Sequence, residues 1–183
     1  MWFSKPRAIA ALPFIVALAA LLAGCGFRPM NSPGGQGAGH PDLAAISIAP
    51  IPDRVGQLLH NRLLDLLNPR GRPSAPRYNL TVQLTETIEE IGFRKTELAT
   101  RANLRLRTTY SLTDTLTQTS LTAGSRTVVS SYNILQSDYA TLVAEEDARS
   151  SATREAADEI RTALAVYFAA RDDDIRQGKV PRR

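Results

Sequence analysis

The sequence predicts an α+β fold: a single four-stranded mixed or antiparallel sheet with two helices packed on one face, in the order β-α-β-β-β-α. Three observations carry this. Apolar and polar residues alternate with a period of two across residues 78–85 and again across 98–112, the signature of half-buried strands. Apolar residues recur at helical spacing across 55–67 and 144–168. Proline and glycine separate these stretches at residues 50–52 and 69–76.

Residues 1–24 read as a signal peptide. Lys5 and Arg7 precede an apolar run over residues 8–23 that only Pro13 interrupts. The unbroken piece, 14–22, has the length of a signal-peptide apolar region and is short for a bilayer span. Ala23 and Gly24 then stand before Cys25, the only cysteine in the chain. Small residues followed directly by a thiol are what bacterial lipoprotein processing requires. Cys25 is therefore the expected lipidation site, carrying diacylglycerol and an N-acyl chain, with no other cofactor implied. One acyl chain contributes about 0.8 kcal/mol per buried CH2 and holds a protein only marginally, so several chains are needed for a lasting anchor. Gly26 is not the aspartate of the inner-membrane retention signal of enteric bacteria, which points to the outer membrane.

Residues 25–41 form the lipidated N-terminus and a flexible spacer. Residues 31–41 hold four glycines and two prolines, too little apolar content for a core, and His40 reads as a solvated spacer residue. The α+β domain is expected over residues 42–171. Its first strand covers 43–48, where Ala44, Ile46 and Ile48 alternate with Ala45 and Ser47, and Pro50 and Pro52 end it. Asp53 is placed to cap a helix with Val55, Leu58, Leu59, Leu63, Leu66 and Leu67 on one face, stopped by Asn68-Pro69-Arg70-Gly71. The second strand covers 78–85 and fades through Glu86 and Ile88. One helix between the two strands gives a crossover that lets them lie parallel.

Residues 89–97 read as a loop or hairpin tip. The longest strand pattern follows, with Leu98, Ala102, Leu104, Leu106, Tyr110 and Leu112 on one face and Arg101, Asn103, Arg105, Arg107, Thr109 and Ser111 on the other. Residues 113–125 are rich in Thr and Ser and read as a loop or a ragged hairpin. A fourth strand covers 126–135, with Val128, Tyr132 and Ile134 alternating. From Asp138 a helical stripe runs through Ala144, Ala148, Ala152, Ala156, Ile160, Leu164 and Phe168, with Val143, Ala157, Ala163 and Tyr167 beside it. Residues 172–183 are charged and are expected to form a disordered tail.

Composition excludes several functions. The formal charge is +4, and loss of Lys5 and Arg7 with the signal peptide brings it to +2, which gives no argument for nucleic acid. With Cys25 acylated no thiol remains for a disulfide or thiolate chemistry. His40 and His60 are the only histidines, and His60 stands among leucines without a partner at ligand spacing. No nucleophile elbow, phosphate loop or zinc motif is present. Glu145-Glu146-Asp147 reads as a helix start, and Asp172-Asp173-Asp174 as a solvated terminus. No metal site and no enzyme activity are expected.

One constellation invites a ligand. Arg101, Arg105 and Arg107 share a strand face, about 7 Å apart where two residues separate them. Arg94 and Lys95 stand at the strand's entry, and Arg126 on the next strand. Guanidinium groups on an open sheet face can hold phosphates with paired hydrogen bonds. The same residues fit a solubilising face, or pairing with Glu86, Glu89 and Glu97, and residue types alone leave both open.

Several local features resemble a known family. Cys25-Gly26-Phe27-Arg28-Pro29 is similar to the opening of mature LptE lipoproteins, which assemble lipopolysaccharide, in their alphaproteobacterial form. The element order resembles theirs, as do Ser131-Tyr132-Asn133, Ser137-Asp138-Tyr139-Ala140 and the alanine-rich last helix entered through Glu146-Asp147-Ala148. Met30-Asn31 depart from the family's usual Leu-Tyr, and the spacer is unusually rich in glycine. The resemblance implies a non-enzymatic outer-membrane lipoprotein. It would plug the LptD barrel, assist that barrel's assembly and help deliver lipopolysaccharide to the cell surface, its domain in the periplasm or the barrel lumen. Lipopolysaccharide and LptD are then the expected partners, with the lipid anchor as the membrane contact. The alternative is a periplasm-facing auxiliary lipoprotein of another lipid-transport system.

Overall fold

The structure, a computed structural model, describes residues 40–93 and 99–179. A 3-10 turn, Leu43–Ala45, leads into β1, Ile46–Ile48. Helix α1, Arg54–Leu67, follows, then β2, Tyr78–Phe93, β3, Ala99–Asp114, and β4, Ser120–Asn133. Helix α2, Asp138–Arg176, closes the chain. The sheet order is β1-β2-β3-β4, with β1 parallel to β2 and the other pairs antiparallel. The mixed sheet, the element order and the parallel first pair all match the sequence expectation.

The register puts Leu80 opposite Leu112, Val82 opposite Tyr110 and Leu106 opposite Val128. These side chains belong to the buried face, together with Tyr78, Ala102, Leu104 and Tyr132. Leu59, Leu63 and Leu67 of α1 complete the core with Ala148, Ala152, Ala156, Ala157, Ile160, Leu164 and Phe168 of α2. The alanines repeat every four residues, which keeps one face of α2 flat where it lies on β3, β4 and α1. Leu58, assigned to the apolar face of α1, is exposed. The buried row runs Leu59, Leu63, Leu67 at four-residue spacing, and Leu58 falls about 100° away from it.

Four local expectations are corrected. Strand β2 continues past Glu86 to Phe93 because β3 pairs with it along the whole length, so cross-strand bonds outweigh a weak apolar alternation. Of the loop and the ragged hairpin read over 113–125 the hairpin forms, and strand β4 begins at Ser120, not at residue 126; Thr and Ser are good strand residues once a neighbour supplies the ladder. Asp53 stands before α1 and its carbonyl accepts from the Gln57 N–H at 2.9 Å, but its side chain accepts no hydrogen bond from the helix, and its φ of +67° departs from ordinary cap geometry. Helix α2 runs to Arg176, through the first five residues of the expected tail, supported by Asp173–Arg176 and Asp174–Lys179 ion pairs.

His40 is the largest departure. It is buried (7% exposed), and its ring stacks on Phe168 with centroids 5.3 Å apart. Nε2 lies 3.0 Å from Asp172 Oδ2, and the Asp42 N–H donates to Nδ1 at 3.2 Å. His40 is therefore a packed residue docked on the last part of α2, and not a solvated spacer residue. Asn68, just after α1, donates from Nδ2 to the carbonyls of Ala44 and Ile46, each at 3.2 Å, and so ties the helix end to β1.

Gly124 faces Tyr110 directly across the β3–β4 pair. A Cβ at this position would lie 2.6 Å from the Tyr110 hydroxyl, so only glycine leaves room for the phenol against β4. Gly124→Ala is expected to lower stability by about 1–3 kcal/mol, because a buried ring must move off its seat. Urea unfolding of Gly124→Ala beside a Tyr110→Phe/Gly124→Ala double variant checks this. The hydroxyl is the closest contact, so the double variant should recover part of the loss.

Candidate functional site

The face of the sheet turned away from the helices is polar over most of its area. Strand β2 contributes Thr81, Gln83, Thr85, Thr87 and Glu89 to it, and β4 contributes Ser125, Thr127, Val129 and Ser131. Strand β3 runs between them and places Arg101, Arg105 and Arg107 on this face, because Ala102, Leu104 and Leu106 alternate inward. Arg107 sits between Thr85 and Thr127, Arg105 between Thr87 and Val129, and Arg101 between Ile91 and Asn133. The Ser131 hydroxyl donates to Asn103 Oδ1 at 2.6 Å, holding an amide between Arg101 and Arg105.

The three cations differ in their partners. Arg105 Nη2 approaches Glu89 Oε2 at 3.4 Å, with both side chains about half exposed. Such a pair contributes little, roughly 0–1 kcal/mol, and yields readily to a stronger anion. Arg101 and Arg107 are exposed and make no ion pair among the described residues. Of the other acids considered as partners, Glu86 faces the helices and binds Arg149 instead, and Glu97 lies outside the described residues. Two free guanidiniums and one weakly held, on a surface rich in hydroxyls, make a site suited to phosphate oxygens.

Arg126 does not join this face. It pairs in register with Thr108, a buried residue on the helix side of β3, so strand alternation sends it to the opposite surface. Its guanidinium lies 6.0 Å from the centre of the Tyr110 ring, and Nη1 donates to the Ser125 carbonyl at 3.0 Å. Its even number in a strand whose Val128 and Tyr132 point inward could have shown this from the sequence. Arg94, Lys95 and Cys25 lie outside the described residues.

A second charged cluster had no signal in the sequence. Arg149 of α2 donates from Nε to Glu86 Oε1 at 2.9 Å and from Nη2 to Glu145. Glu146 lies 3.7 Å from Arg149 Nη1 and accepts from Arg54 Nη2 of α1 at 2.7 Å. Burial disfavours the Arg149 charge, but the Glu86 hydrogen bond and the Glu86 and Glu145 charges outweigh it and hold the guanidinium above its usual range. Burial, followed by the nearby Glu145 charge, pushes the Tyr132 hydroxyl up. The cluster joins α1, α2 and β2 and is structural. Among the described residues no group of acids and histidines is arranged for a metal, and no helix is long and apolar enough to cross a membrane.

The model of the family described as LptE, lipopolysaccharide-assembly, matches residues 43–164, two thirds of the chain. The chain belongs to the LptE family. A protein of Rickettsia prowazekii (strain Madrid E) of uncharacterised function is 28% identical over 155 residues, covering 85% of this chain and 96% of that protein. Among solved structures, a protein of Caulobacter crescentus CB15 described as a lipoprotein superposes with a TM-score of 0.61 at 24% identity. The match covers 74% of this chain and 98% of that one. The rare lipoprotein B of Shewanella oneidensis gives 0.55 at 12% identity, over 69% and 98% of the two chains. A minor lipoprotein of Acinetobacter baumannii gives 0.54 at 19% identity, over 66% and 90%. At these identities the solved structures establish a shared fold. The matched LptE region takes in the whole sheet, including the arginine face, and α2 as far as Leu164.

Proposed function

We propose that this LptE-family protein is an outer-membrane lipoprotein subunit of the lipopolysaccharide translocon, anchored by diacylglycerol and an N-acyl chain on Cys25. In this reading it plugs the LptD barrel, assists its assembly and helps deliver lipopolysaccharide to the cell surface, without catalysing a reaction. The observation that carries the ligand assignment is the row Arg101, Arg105 and Arg107 on an open, hydroxyl-rich sheet face. Lipid A and core phosphates are multivalent anions, and spaced guanidiniums on a rigid strand suit them. Family membership supports the barrel partner, as does a polar outer face that suits the polar interior of an outer-membrane barrel.

The test substitutes glutamine at Arg101, Arg105 and Arg107 together and measures lipopolysaccharide binding of the mature domain by fluorescence titration. Charge-assisted hydrogen bonds contribute about 1.5–3 kcal/mol each, so the triple variant is expected to bind at least tenfold more weakly. Unchanged affinity overturns the site. Copurification of LptD with the acylated protein tests the barrel assignment separately, and its absence overturns that part. Cys25→Ser is expected to leave the chain unacylated, as mass spectrometry of the membrane fraction will read.

A further inference from the structure

The sheet has two edges, and the sequence guards them differently. At one edge β1 is three residues long and is followed by Pro50 and Pro52, a short, interrupted strand of the kind that discourages further pairing. At the other edge β4 runs for 14 residues without a proline and with a single charge, Arg126. In an antiparallel ladder, residues bonded to the neighbouring strand alternate with residues whose backbone groups point outward. The Ile134 N–H donates to the Thr100 carbonyl at 3.1 Å, in the register that pairs Arg101 with Asn133. The even-numbered residues of β4 therefore bond to β3. The backbone groups of Ala123, Ser125, Thr127, Val129 and Ser131 face out from the sheet, and Arg126 Nη1 covers the Ser125 carbonyl.

We propose that this edge is a docking site for an extended strand of a different protein, which adds to the sheet beside β4. Two observations select that occupant. First, the charge at Arg126 opposes a second copy of this chain. Arg126 is next to the strand's midpoint, and a fully overlapping two-fold pairing that keeps both helix layers on one side sets the two Arg126 side chains opposite or diagonal to each other. Like charges in those positions are destabilising, whereas an acid there is favourable. Second, a groove of about 990 Å³ lies between β4 and α2, with Tyr110, Thr122, Arg126, Arg154, Glu155 and Glu159 among its walls. Arg154 bonds only the Ser150 and Ser151 hydroxyls among the described residues, so neither groove arginine has a carboxylate partner. An added strand would place alternate side chains in this groove: an acid beside Arg126 and Arg154, and a basic residue further along beside Glu155 and Glu159. Main-chain bonds to the edge supply affinity, and the groove supplies selectivity. The inference goes beyond the barrel reading, because any protein that offers such a strand fits.

The test places a photoreactive phenylalanine analogue at Thr127, or at Thr85 on the open face as a control, in the full-length protein in cells. A discrete adduct with another protein is expected from Thr127 and not from Thr85. Val129→Pro removes one outward N–H that β3 does not use, and Val129→Lys adds a charge at the edge; each is expected to lower the adduct yield about fivefold or more. Thermal melts confirm that the variants fold, and Val129→Lys keeps the test valid if the proline variant does not. No adduct from Thr127, equal adducts from both positions, or an adduct unaffected by either edge variant overturns the proposal. An adduct containing only this chain also overturns it, because the occupant is then a second copy. Identification of the partner as a protein other than LptD supports the edge proposal and leaves the barrel assignment to the separate copurification test.

Discussion

Phe168→Ala is expected to lower the unfolding free energy by about 4 kcal/mol, within the range for truncating a buried aromatic. Phe168 is fully buried near the end of α2, and three rings surround it. His40 stacks at 5.3 Å, Tyr78 tilts against it at 5.1 Å, and Tyr167 meets it edge-on at 5.3 Å. These rings come from the entry to the domain, from β2 and from α2 itself. The cavity left by alanine therefore has rigid walls on several sides and closes poorly. The stacked face of His40 is also lost, which leaves that ring held by Asp172 and the Asp42 amide. Urea denaturation of the mature domain reads the loss. Proteolysis near residue 40 in the variant reads the release of the domain entry. Phe168→Leu should lose distinctly less, since most of the apolar volume stays. A loss under about 1 kcal/mol for Phe168→Ala would mean that the ring is not packed as described.

Arg149→Ala is expected to cost about 2–4 kcal/mol, near the lower end of the cost of breaking a buried pair, because the site is not fully dry. The Arg149 and Glu86 side chains are 20% and 19% exposed. Glu86 Oε2 is buried and already lacks a hydrogen-bond partner, so removing the arginine leaves that whole carboxylate unpaired. The substitution also frees Glu145 and Glu146 at the start of α2, where only Arg54 then remains on Glu146. The companion variant Glu86→Gln/Arg149→Met should recover most of the loss, since replacing both charged partners removes the unpaired charge. A double-variant cycle on chemical denaturation midpoints measures the coupling. Additive losses would show that the pair does not act as a unit.

Much of the fold was legible because its layers obey simple periods. Leu80 and Val82, and Leu104 and Leu106, alternate because one face of the sheet is buried and the other is open. Ala148, Ala152, Ala156 and Ile160 recur because one side of α2 lies on that sheet. Element ends were less legible. Residues 86–93 and 120–125 are strand because a partner strand lies alongside them, and local propensity does not carry that information. The candidate site divides along the same line. Period-two alternation assigns Arg101, Arg105 and Arg107 to one surface, and the same rule applied to Arg126 removes it from that surface.

By itself the sequence determined the α+β class, the element order, the burial of the helix stripes and the shared face of three arginines, since each follows from neighbours within a few residues. Only the tertiary structure decided that His40 is a core residue held by Phe168 and Asp172, that Glu86 belongs to Arg149, and that β4 is the edge of the sheet among the described residues. These are contacts between residues 63 to 132 positions apart, or the absence of a neighbouring strand. A contact between distant segments leaves no periodic trace along the chain, because the spacing that makes it possible is created by folding.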